Sequence, residues 1–150
     1  MKKIAVIAAL AAIIGMSSVS AQSTIFVATP VGNAVATYKN ALKTHFTEVM
    51  GGCSIVTLTN NAMADSIAQI MTIDRTNRKV SSNFSTQLYS SGIDYICYSI
   101  IDERNGRLNI ETMLVNCSTG NVERILSRSI SRDMEEIRML TQIFTKQLLF

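Results

Sequence analysis

Few side chains in this sequence are placed to do chemistry. Its one histidine, His45, lies beside an apolar stripe of helical spacing, between Leu42 and Val49. It reads as a partly buried boundary residue, because a general base needs an orienting partner and a substrate cleft. Acidic residues pair twice. Asp102-Glu103 immediately precedes Arg104-Asn105-Gly106-Arg107, which makes these charges the solvated tip of a hairpin. Glu135-Glu136 falls in the first turn of the last helix, where carboxylates favour the positive end of the helix dipole. Paired acids do acid–base work only in a desolvated cleft that separates their pKa values, and the sequence shows none. It contains no GxSxG element and no phosphate-binding Gly-rich loop. Cys53, Cys97 and Cys117 form no CxxC and no Cys/His spacing suited to zinc. The sequence thus assigns no catalytic residue, no metal ligand and no cofactor.

What remains is basic. Arg124, Arg128 and Arg132 recur every four residues. A helix would turn that spacing into a ridge; in a strand, Arg124 and Arg128 share one face with Leu126 between them. They form a partner-binding patch suited to an acidic protein or an anionic glycan, on an otherwise solvated face.

Composition narrows the classes. Met1-Lys2-Lys3 is a basic start, Ile4 to Met16 is apolar throughout, and Val19-Ser20-Ala21 ends in small residues. This is the three-part pattern of a secretory signal peptide, residues 1–21, cleaved before Gln22. The apolar run is shorter than the roughly 20 residues that span a bilayer. Cleavage would remove Lys2 and Lys3, so the 14 basic side chains fall to 12 against 11 acidic, and the net charge becomes +1. So balanced a charge leaves no electrostatic footprint for nucleic acid. No second long apolar run follows, and Gln22 rather than Cys follows Ala21, so a soluble, exported, periplasmic chain without a lipid anchor is expected. Residues 22–150 have the length of one domain.

The elements that must position these residues follow from periodicity. Thr24 to Ala28 is a short β-forming run stopped by Pro30 and Gly32. Asn33 can cap a helix to about Met50, with Val35, Tyr38, Leu42, Phe46 and Val49 on one stripe. Gly51-Gly52 ends it, and Cys53 to Thr59 alternates as a strand. Asn60 or Asn61 can cap a helix to about Asp74, with Met63, Ile67, Ile70 and Met71 inward. Arg75 to Lys79 is polar and reads as a loop. Ser82 opens a shorter helix stacking Phe84 on Leu88, followed by Gly92. Ile93 to Ile101 is apolar nearly throughout, as a central strand should be. Asn105-Gly106 marks a type I′ hairpin. Strands follow at 107–117 and 121–131, and Asp133 caps a last helix with Ile137, Leu140, Phe144 and Leu148 on one face. The order β-α-β-α-α-β-β-β-α predicts an α+β fold, a mixed sheet of about five strands covered by helices.

Three segments carry a resemblance: the helix ending at Gly51-Gly52 before Cys53-Ser-Ile-Val-Thr-Leu58, then Gln87-Leu-Tyr-Ser-Ser-Gly-Ile-Asp-Tyr-Ile-Cys97, then Leu108-Asn-Ile-Glu-Thr-Met-Leu-Val-Asn-Cys-Ser-Thr-Gly120. Together they resemble the periplasmic domain family of CsgG-like proteins, LpoB-type activators of penicillin-binding proteins and the TolB N-terminal domain. Asn116 and Cys117 stand where the family pattern has Asp and Val. The long insertions that build a CsgG barrel are absent, as is the Cys that anchors CsgG and LpoB. The resemblance therefore implies an envelope assembly or regulatory module with an envelope protein or glycan partner, not a secretion pore.

Two function classes remain: a non-enzymatic binding module, and a small exported hydrolase whose carboxylates converge only on folding. The hairpin also sets a register. With Arg104 opposite Arg107, paired positions put Cys97 across from Leu114 and Cys117 across from Asp94, so Cys97 and Cys117 should not bridge. Cys53 could approach either.

Overall fold

The computed structural model describes residues 22–150; the expected signal peptide lies outside the described residues. Along the chain run β1 (Ser23–Val27), α1 (Ala36–Gly51), β2 (Val56–Thr59), α2 (Ala62–Ile70), β3 (Ile73–Asp74), β4 (Lys79–Val80), α3 (Ser82–Ser90), β5 (Tyr95–Arg104), β6 (Arg107–Asn116), β7 (Val122–Ser131) and α4 (Met134–Leu149). The main sheet has the order β2-β1-β5-β6-β7, and β3-β4 is a separate ribbon. β1 runs parallel to β2 and β5, whereas β5, β6 and β7 are antiparallel. Parallel neighbours require crossovers, which α1 and the α2–α3 segment supply; antiparallel neighbours need only tight turns. This is the mixed five-stranded α+β sheet that the sequence pattern predicts.

The hairpin signal sets the register. Asn105 and Gly106 take φ values of 54° and 73°, as a type I′ turn needs. Arg104 then faces Arg107, and Cys97 faces Leu114. The Cys117 amide donates to the Asp94 carbonyl at 2.8 Å.

Two apolar layers hold the sheet. On one face α1 and α4 cover Ile25, Val27, Cys97, Ile101, Leu108, Ile110 and Leu114. On the other, α2 and α3 cover Phe26, Ile96, Tyr98, Met113, Val115 and Cys117. Ile137, Leu140, Phe144 and Leu148 are buried along α4, as their spacing predicts. Each such side chain contributes about 1.5–3 kcal/mol by leaving water. Under α1 and α4, Ser99 and Thr112 face each other in β5 and β6 and share a buried hydrogen bond of 2.9 Å.

Several expectations are corrected. Asn33 does not cap α1: its amide donates to Asp102 Oδ1 at 2.8 Å and its Oδ1 accepts from the Glu103 amide at 2.7 Å. Val35 occupies the N-cap in extended conformation and is exposed, so it lies outside the helical stripe. Met50, rather than Val49, is buried at the other end. Asn61 does cap α2, accepting from the Ala64 amide, but that helix stops at Ile70. Further on, the Asp74 carboxylate accepts from the Thr76 and Asn77 amides at 3.0 and 3.1 Å, a local turn that competes with helix. The polar stretch thereby becomes the ribbon tip, with Arg78 left-handed at φ 53°. Ile67 and Met71 are buried as expected and Ala64 and Ala68 join them, while Met63 and Ile70 are exposed.

Candidate functional site

The structure separates the three arginines. Arg124 and Arg128 lie exposed on β7, opposite Leu114 and Ile110. Residues alternate faces along a strand, so both stand on the α1/α4 side with the half-buried Leu126 between them. Neither makes an ion pair or side-chain hydrogen bond among the described residues. Arg132 lies just beyond the strand, and its Nη1 donates to Glu103 Oε2 at 2.8 Å. It belongs to the turn into α4, not to the patch.

β7 is an edge strand, and its backbone alternation decides what faces outward. The Cys117 amide of the β6 end reaches Asp94, whereas the Asn116 amide reaches Asn121 at 2.8 Å. Even-numbered β6 residues therefore bond β7, and by register their partners Arg124, Leu126, Arg128 and Ile130 bond back. Ile125, Ser127, Ser129 and Ser131 direct their backbone groups away from the sheet. The ends of this edge are satisfied. Val122 donates to Arg78 O at 2.9 Å, Arg107 Nη2 donates to Ser129 O at 3.1 Å, and Glu136 accepts from the Ser131 amide at 3.4 Å. Between them, the N–H and C=O of Ile125 and Ser127 and the N–H of Ser129 have no protein partner among the described residues.

On the opposite face the helix layer stops short. Ile100, Asp102, Asn109 and Glu111 are half-buried, and Ser127 and Ser129 are exposed. With Arg75 and Arg128 they line an open groove of about 460 Å³. Arg75 donates to both Glu111 oxygens, at 2.8 and 2.5 Å, and the carboxylate's bonds hold the guanidinium above its ordinary pKa. Asp102 accepts from Asn33, so the two acids are committed to partners.

The other expected residues are accounted for locally. His45 is partly buried, with Nδ1 3.1 Å from Glu48 Oε1 one turn away. Glu135 binds Arg138, whose hydrogen bond lowers the carboxyl pKa, and Glu136 binds the Ser131 hydroxyl. Asp102 and Glu103 are not a merely solvated tip: they tie Asn33 and Arg132 to the hairpin. All three cysteines are free thiols, Cys97 and Cys117 being buried on opposite faces of the sheet. Burial pushes each of those two up to about 12.

One polar cluster escapes sequence reasoning. Thr29 donates through N and Oγ1 to the two Asp65 oxygens, both at 2.8 Å, and Lys43 Nζ donates to Thr29 Oγ1 at 3.0 Å. Gln69 Nε2 donates to the Thr29 carbonyl at 2.9 Å. Every group in it has a partner, so it acts as a clamp joining the segment just after β1 to α1 and α2. No periodicity or motif links residues so far apart in sequence.

No family model matches the chain, and no curated protein matches it significantly. Solved structures do. TolB from Acinetobacter baumannii superposes with a TM-score of 0.54 at 9% identity, over 84% of this chain and 27% of TolB. Lipoprotein GNA1162 from Neisseria meningitidis gives 0.53 at 15% identity, over 83% of this chain and 95% of that one. The LpoB C-terminal domain from Salmonella enterica gives 0.50 at 14%, over 76% and 86%. The chain thus spans about a quarter of the TolB chain and most of the other two. These likenesses carry the TolB and LpoB part of the expected resemblance, at the level of the fold; its CsgG part stays with the sequence pattern.

Proposed function

We propose that residues 22–150 are a single non-enzymatic binding module of the bacterial cell envelope, exported by the signal at residues 1–21, that engages an envelope protein through β7. One observation carries this reading: Arg124 and Arg128, both without a protein partner among the described residues, flank Leu126 on the exposed edge strand. The fold shared with GNA1162, itself a lipoprotein, and with TolB and LpoB supports an assembly or regulatory role. A hydrolase would need free acids converging in a closed pocket, whereas Glu111 and Asp102 are each bound in an open groove.

In-cell photo-crosslinking tests the proposal. A photoreactive residue at Ser127, exposed beside the free edge of β7 though on the face away from Arg124 and Arg128, should capture one discrete envelope protein, and one at the exposed Asn40 on α1 should not. Capture from Asn40 but not Ser127, or fractionation of the protein with the cytoplasm, would contradict it.

A further inference from the structure

We infer that the free edge of β7 takes up an extended acidic peptide of another protein as an added strand, with two carboxylates four residues apart and an apolar residue midway. The inference deepens the binding-module reading and rests on it.

The backbone supplies the first half of the match. The unpartnered groups of Ile125, Ser127 and Ser129 are the template that an incoming strand needs, and strand addition draws affinity from such main-chain bonds. The paired ends limit the addition to the middle of the strand. Side chains supply the second half. With a rise of about 3.3 Å per residue, Arg124 and Arg128 stand roughly 13 Å apart on one face. Residues i and i+4 of a neighbouring strand have the same spacing. Carboxylates there would meet both guanidinium groups, and the residue between them would meet Leu126.

The chemistry also selects against a second copy of this chain. Pairing β7 with another β7 brings like charges together across strands, which is destabilising. None of the acidic residues in the described chain has another acidic residue four positions away, so no segment of residues 22–150 fits the pattern. The same arginines keep the edge from pairing with itself when no partner is bound.

The probe is a fluorescent peptide, acetyl-Thr-Glu-Thr-Val-Thr-Glu-Thr-amide, titrated into the exported protein and read by anisotropy. Binding should weaken at least tenfold with the double variant R124E/R128E. A peptide with Lys at both acidic positions should bind that variant in preference to the original protein. Methylating the peptide amides that face β7 should abolish binding, and the amides of Ile125, Ser127 and Ser129 should exchange more slowly in the complex. Equal binding by the methylated peptide would overturn strand addition. So would displacement by an acidic oligosaccharide without amide protection, or dimerisation of the protein alone with those amides protected. Failure of the peptide while Ser127 still crosslinks to an envelope protein would overturn this inference and leave the binding-module reading standing; loss of both would remove both.

Discussion

Arg132 Nη1 lies 2.8 Å from Glu103 Oε2, an ion pair that ties the turn after β7 to the β5–β6 hairpin. It sets Arg132 apart from Arg124 and Arg128, whose charges no acidic side chain among the described residues neutralises. The pair is exposed, with 51% of the Arg132 and 27% of the Glu103 side chain accessible. Pairs of this kind are worth about 0–1 kcal/mol. Arg132→Ala should therefore lower the urea midpoint slightly and leave peptide binding at β7 unchanged.

Gly32 sits at φ +113°, where a Cβ would approach the Ile101 carbonyl oxygen to 2.4 Å. That oxygen accepts from the Ala34 amide, so the clash falls on a segment bound to β5. Gly106 also has positive φ but open space around it. Left-handed strain alone costs on the order of 1–3 kcal/mol. Gly32→Ala should lower the denaturation midpoint clearly more than Gly106→Ala; equal losses would show that the close approach is absent.

On α4, Leu140 and Thr145 make opposite expectations. Leu140 is buried against the sheet, and truncation of such a leucine costs about 2–5 kcal/mol. Thr145 is buried with its hydroxyl unpaired among the described residues. Thr145→Val replaces a desolvated hydroxyl with a methyl group of similar size and should gain roughly 1 kcal/mol. Thermal melts of L140A, T145V and the exposed K146A should rank below, above and level with the unaltered protein.

The thiols give a pH expectation. Burial raises Cys97 and Cys117 from an ordinary 9.0 to about 12, so the folded state holds their protons more tightly than the unfolded state. Their contribution is fully present below pH 9 and is lost as the pH rises toward 12. Stability should fall over that interval, less steeply in C97A/C117A. Peptide mapping under non-reducing conditions should find no Cys97–Cys117 bridge, since the two thiols lie on opposite faces.

The antiparallel half of the fold is legible because its signals are local. Asn105-Gly106 sets a turn, the turn sets the register, and the register places Cys97 opposite Leu114. Parity likewise puts Arg124 and Arg128 on one face. The sheet order is not legible: β1 lies between β2 and β5 through crossovers that sequence distance does not encode. Asn33 meets the hairpin only because of that order. The α2 stripe holds at Ile67 and Met71 and misleads at Met63 and Ile70, because the small Ala64 and Ala68 take the positions against the sheet.

The central claim, that β7 is the working surface, is tested most directly by repeating the Ser127 crosslinking in charge variants. With R124E/R128E the crosslinked envelope species should disappear while the thermal midpoint stays unchanged; with R132A it should persist. A crosslink that survives R124E/R128E and is lost with R132A would contradict the account, because the recognised surface would then be the α4 turn.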